Sequence, residues 1–258
     1  DPSDVDLLEK RIAQSEFKYT VCNARKIEGD GMRPFNQGAD PVPEYLVQTI
    51  QSKLGTSFRL GLFGVILPFA QQDYLHYDDV TSSFRSTYAE VKNNSDLQIA
   101  ITHQNLDEDL QLAADVPGVP LFIGGHEHAN LTRYVGNTLI TKADANAKTV
   151  YIHRIKYDTH SKLTEINSEL RVINDRIAED PSTKKVVDKW QDKAFTVMTE
   201  LGYSPDKLLM TLTQPLVCKE SLIRTSQTNY GQLTMDAIAN AMPGADVYFI
   251  NSGSMRLD

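Results

Sequence analysis

Cysteine is scarce in this chain, with 2 in 258 residues, Cys22 and Cys218. Too few and too far apart for a disulfide framework, they leave the redox compartment open. No apolar run approaches the roughly 18 residues that a membrane helix requires, so no membrane span is expected. No secretory leader is visible at the start. Positive charge is also short, at 26 Lys and Arg against 34 Asp and Glu, a formal net charge of −8. A nucleic-acid polymer needs a basic footprint and is excluded as a partner. A small anionic substrate is not excluded, because a bound metal ion reverses the local field. The remaining composition, 41% hydrophobic and 23% charged, is ordinary for a globular protein that buries a sizeable core.

What the chain does have is histidine at the ends of apolar runs. Leu121-Phe122-Ile123 reads as the end of a buried strand. Gly124-Gly125 then lets the backbone turn and leaves room for a close approach. His126 and His128 follow at i and i+2, a spacing that puts both imidazoles on one side of an extended segment. Upstream, Leu97–His103 repeats the design, an apolar strand that ends on a histidine. Open α/β sheets place their sites at the carboxyl ends of neighbouring strands. Neutral imidazole is a common metal ligand. Spacing alone also fits loop histidines and a chance His-x-His pair, because geometry defines a metal site. His76, in a loop expected over 68–79, reads as a surface histidine.

The periodicity predicts a helix over 5–15, a strand over 17–24 and an exposed loop over 26–43. A strand pair is expected at 45–50 and 58–67, the second central. A helix over 82–93, the Leu97–His103 strand, a helix over 107–114 and the Leu121–Gly124 strand follow. This alternation argues for an α/β sheet. Short strands at 131–135, 138–141, 150–156 and 163–172 read as an antiparallel edge on it. Beyond them come helices over 183–201 and 228–237 and a strand over 245–250.

Thr102-His103 with Gly124-Gly125-His126-Glu127-His128 resembles the last two ligand blocks of the calcineurin-like metallophosphoesterases. Asn105-Leu106-Asp107-Glu108-Asp109, followed by Pro117-Gly118-Val119-Pro120, resembles the 5′-nucleotidase branch of that superfamily. Asn251-Ser252-Gly253-Ser254-Met255-Arg256 is similar to the Asn-x-Gly-x-x-Arg loop of that branch's C-terminal domain.

The resemblance implies a partial four-layer α/β/β/α metallophosphoesterase sandwich over 1–178. A linker helix over 179–204 and the start of an α/β C-terminal nucleotidase domain over 205–258 would follow. It implies two divalent ions (Zn, Mn, Co, Mg or Ca), with His103 and His126 on one and His128 on the other, and Glu127 as a spacer. It implies that Asn251, Gly253 and Arg256 hold the substrate phosphate, the planar guanidinium suiting a bidentate contact. Arg256 also reads as a solvent-exposed terminal arginine. Asp1 reads either as the residue that orients a catalytic histidine in the family or as a helix-capping terminal residue. The implied activity is two-metal hydrolysis of nucleotide phosphate monoesters, and the implied location is periplasmic, secreted or cell-surface.

The family's Asp-x-His, Gly-Asp and Gly-Asn-His-Glu blocks have no convincing counterpart. Asp158-Thr159-His160 and Gly29-Asp30 match as strings, but the first falls in an expected hairpin turn and the second in a Gly-rich loop. The chain is therefore expected to correspond to the middle of a longer enzyme and to be a poor phosphatase alone. Alternatives are a cyclic-nucleotide phosphodiesterase, a nucleotide-sugar hydrolase, a sulfur-ester relative, or a non-catalytic remnant that binds something.

Overall fold

The apolar runs at 58–66, 97–103 and 121–124 become the middle of one sheet in the computed structural model, which describes residues 5–53, 55–69 and 72–255. Asp1 and Arg256 lie outside the described residues. The chain divides into two compact units, Asp1–Ile173 and Asn174–Asp258.

The first unit opens with α1 (Val5–Gln14), then β1 (Ala24–Glu28), β2 (Gly31–Arg33), β3 (Asn36–Gln37) and β4 (Asp40–Pro41). β5 (Tyr45–Gln51), β6 (Ser57–Ile66), β7 (Leu75–Tyr77), α2 (Val80–Asn94), β8 (Leu97–His103), α3 (Leu106–Asp115) and β9 (Leu121–Gly124) follow. β10 (Leu131–Val135), β11 (Thr138–Lys142), β12 (Thr149–Tyr157) and β13 (Thr164–Val172) complete it. The main sheet runs β10-β11-β9-β8-β6-β5. Its four inner strands are parallel, and β5 and β10 are antiparallel edges.

The crossover helices are written locally. Asp79 caps α2 by accepting from Ser82 N at 2.9 Å, and Phe84, Tyr88 and Val91 fall on one helical face. Glu108 reaches back to Asn105 N at 2.9 Å at the start of α3. Phe84, Tyr88, Val91, Leu112 and Ala113 pack on Phe63, Val65, Ala100, Phe122 and Ile140 to form the main core. On the other face of the sheet Ile99, Leu121 and Leu139 meet Ile155 and Ile166 of the β12–β13 hairpin. The fold is mixed α/β with more than one sheet, as expected.

Four expectations are corrected. Residues 17–23 are not a strand; the ladder starts at Ala24. Cys22 N still bonds Gly64 O at 2.9 Å, but at Asn23 the side chain replaces the backbone. Its amide donates to Ile66 O at 2.8 Å and accepts from Ile66 N at 3.0 Å. Residues 26–43 are not simply a loop: β1 pairs with β2 and β7, and β3 with β4. His76 thus sits on a strand, 3.4 Å from Asp78. Of the four strands expected at the sheet edge, only β10 and β11 join it, while β12 and β13 form a separate two-stranded sheet.

The fourth correction lies in the second unit, which holds α4 (Pro181–Glu200), α5 (Glu220–Ile223), α6 (Asn229–Ala241) and a 3-10 turn at Ser252–Ser254. Asp180 caps α4 through Ser182 N and Thr183 N, and Thr228 caps α6 through Gly231 N. Residues 245–250 form no strand, because no described strand pairs with them and Val247 and Phe249 stay exposed.

Candidate metal centre

Strand register brings the histidine-bearing segments together. β8 pairs in parallel with β9, Thr102 opposite Gly124, so His103 and the turn after Gly124 emerge at the same carboxyl end. Gly125 N extends the pairing to Thr102 O at 3.0 Å. The His103 and His126 rings then stand 5.4 Å apart between centres at an interplanar angle of 78°. His128 follows two residues later, near enough for its charge to act on His103. His126 and His128 hold φ of 91° and 58°. Such backbone costs of order 1–3 kcal/mol per residue outside glycine and persists only where the surroundings impose it. The pKa of His103 lies below the ordinary histidine range: partial burial is the largest cause, then the charges of His126 and Lys142.

Two imidazoles on one tetrahedral zinc, each nitrogen about 2.0 Å from the ion, would hold their ring centres roughly 5 Å apart. The His103–His126 separation agrees with that. Imidazole without thiolate suits a borderline divalent ion. Among the described residues, however, no group of three or more His, Cys, Asp and Glu side chains is arranged to hold a metal ion. The residues present therefore fit a share of a divalent-metal site, not a closed one.

Glu127, read as a spacer, turns away to an ion pair with Lys142 at 2.6 Å. Lys142 also meets Asp109 at 2.8 Å. Burial pushes the Asp109 carboxyl up, against the pull of Lys142. Sequence reasoning missed both Lys142 and Asp109. A lysine at the end of an apolar strand reads as the first surface residue, and an Asp in an acidic first turn reads as a helix-end charge.

The matching strings elsewhere stay outside this cluster. Asp158 accepts from His160 N at 2.8 Å and Ser161 N at 2.9 Å in the turn that joins β12 to β13. Gly29-Asp30 is the turn between β1 and β2. In the second unit, Asn251 Oδ1 accepts from Gly253 N at 2.9 Å and shapes the 3-10 turn. Arg224, which the sequence did not single out, lies against that loop: a Cβ on Gly253 would stand 3.3 Å from its Nη2.

No family model matches the chain. Two curated proteins do match it. The trifunctional nucleotide phosphoesterase protein YfkN of Bacillus subtilis is 27% identical over 169 residues, covering 61% of this chain and 11% of that protein. Human 5′-nucleotidase is 27% identical over 180 residues, covering 61% of this chain and 30% of that protein. Both matches support a relationship to the 5′-nucleotidase family of metallophosphoesterases. The fold agrees with that of solved 5′-nucleotidases. A 5′-nucleotidase from Candida albicans superposes with a TM-score of 0.60 at 15% identity, over 89% of this chain and 45% of that one. The NAD nucleotidase of Haemophilus influenzae gives 0.51 at 12% identity, over 72% and 43%. The chain thus spans under half the length of each of these relatives. No helix among its described residues is long and apolar enough to cross a membrane.

Proposed function

We propose that this chain carries part of the active site of a divalent-metal-dependent phosphoesterase that hydrolyses nucleotide phosphate monoesters. His103, His126 and His128 are its metal ligands. Asn251, Gly253 and Arg256 contact the substrate phosphate, and Asp1 orients a catalytic histidine. The observation that carries the reading is the meeting of His103 and His126 at the ends of two neighbouring parallel strands. The family relationship supports it. Metal bound there would supply Lewis-acid stabilisation of the phosphate and an activated water in a two-metal scheme. The chain's own residues do the rest. The imidazoles hold their nitrogens at one sheet edge, and Glu127 stays on Lys142 and leaves the donor set to histidine. By family resemblance the compartment is periplasmic, secreted or cell-surface.

The test uses the 258-residue chain titrated with Co2+, Zn2+ and Mn2+, then assayed on AMP and an aryl phosphate. The expected result is Co2+ binding that His126→Ala and His103→Ala each weaken, with slow turnover, because no described carboxylate joins the imidazoles as a ligand. Co2+ binding that survives both substitutions overturns the ligand assignment. Turnover of an unrelated ester class, a sulfur ester or a cyclic nucleotide, with AMP untouched overturns the substrate class.

A further inference from the structure

Lys142 ends β11 with 1% of its side chain exposed, and lysine is rarely so buried unless paired. Its ammonium donates to the carbonyl oxygen of Gln104 at 2.6 Å and is ion-paired with Asp109 Oδ2 at 2.8 Å and Glu127 Oε2 at 2.6 Å. They come from three segments. Asp109 is on α3, Glu127 lies between His126 and His128, and Gln104 directly follows His103. The stem has a reserved path as well. A Cβ on Gly124 would stand 2.8 Å from Lys142 Cε and 3.0 Å from its Cγ, so the bare Cα of Gly124 is the space the lysine passes through.

We propose that Lys142 is a positioning residue for the histidine cluster: its buried ammonium ties the turn that carries His126 and His128 to the strand end that carries His103, with Asp109 as the fixed anchor. The proposal rests on the metal-centre reading above. It answers a question the backbone poses, because two excursions to positive φ, at His126 and His128, need restraint from outside the turn. Glu127 is the only residue between them, and its carboxylate is paired with Lys142. The arrangement works as outer partners of metal ligands generally do, fixing orientation and donating nothing to the ion.

The test uses Glu127→Gln and Lys142→Met in the full 258-residue chain. Lys142→Met leaves buried carboxylates without their cation and is at risk of not folding. Glu127→Gln keeps the Lys142–Asp109 pair and serves as the second variant. Circular dichroism and urea denaturation establish that each variant is folded. Two further readouts follow: the metal-free nuclear Overhauser contact between the His103 and His126 rings, and the Co2+ affinity and visible spectrum. In folded Glu127→Gln the ring contact should be lost or markedly weakened, and Co2+ affinity should fall by about 10–100-fold. An unchanged ring contact overturns the proposal, whatever happens to affinity. So does a lost contact with unchanged Co2+ affinity. If the unsubstituted chain binds no Co2+ at all, the metal-centre reading fails, and the ring contact alone decides whether Lys142 positions the histidines.

Discussion

The imidazole of His103 lies over the bare Cα of Gly125, where a Cβ would stand 3.2 Å from His103 Nδ1. The adjacent glycine serves a different neighbour, since Gly124 faces the Lys142 stem. The Gly-Gly pair therefore makes room on two sides, for the His103 ring and for the buried Lys142. Both glycines have ordinary negative φ, so steric room, not backbone freedom, is the requirement here.

Alanine at the two positions should separate these roles. Gly125→Ala should fold normally, because the ring of His103 is at an exposed position and can swing aside, and should weaken Co2+ binding. Gly124→Ala forces a fully buried side chain to shift and should cost roughly 1–3 kcal/mol, as overpacking does. Urea denaturation with a Co2+ titration on each variant checks this. Equal loss of stability in both would contradict the division.

Asn23 offers a second test. It is fully buried, and its amide takes the place of a strand backbone against Ile66, with bonds of 2.8 and 3.0 Å. Asn23→Ala leaves the Ile66 N–H and C=O without those partners at a part-buried position. Each lost bond of this kind costs about 0.5–1.5 kcal/mol. The expected outcome is a lower urea midpoint for the unit Asp1–Ile173, with the second unit's transition unmoved. Asn23→Asp should be at least as damaging, since a carboxylate cannot donate to the Ile66 carbonyl.

The same asparagine shows where sequence reading stops. Val21, Cys22 and Asn23 look like strand residues, and they do run beside β6, but through a side chain that no local pattern announces. Phe84, Tyr88 and Val91 were legible because helical period is local. His103 and His126 were legible because each follows an apolar run that ends in solvent. Residues 245–250 alternate apolar and polar as a strand does, yet a ladder needs a partner, which local periodicity does not supply. Lys142 was hidden for a related reason. A lysine after an apolar strand means surface unless something distant neutralises it, and Asp109 and Glu127 lie far away in sequence.

Cys22 should be chemically silent. Its thiol is buried and donates to Gly64 O at 2.7 Å. Burial, the largest cause, pushes its pKa from 9.0 up to about 11. Cys218 is partly exposed, so an aromatic disulfide reagent at pH 8 should titrate one thiol in the folded chain and both in urea. The linkage has a definite sign. A pKa raised on folding stabilises fully below the unfolded value and is lost as pH rises through the folded one. The contribution of Cys22 should therefore fade between about pH 9 and 11. Cys22→Ala should lack that component of the slope, whatever other groups titrate there. Fast labelling of two thiols in the native chain would show the Cys22 site to be open.

Metal should act on one unit and not on the other. A ligand that binds only the folded form stabilises it by about 2.7 kcal/mol at a free concentration 100 times its dissociation constant. The three histidines belong to Asp1–Ile173, and their turn carries backbone strain at His126 and His128. Zn2+ or Co2+ bound there would be released when that unit unfolds. Saturating metal should raise the unfolding midpoint of the first unit and leave that of Asn174–Asp258 in place. Trp190, the single tryptophan, lies in α4 and reports the second unit by fluorescence. Hydrogen exchange of Leu97–His103 and Leu121–Gly124 amides reports the first. His126→Ala should abolish the metal-dependent shift without removing the protection of those strands. A shift of equal size in both units, or one that persists in His126→Ala, would mean that the metal binds by general surface association and that the imidazoles at the strand ends are not its ligands.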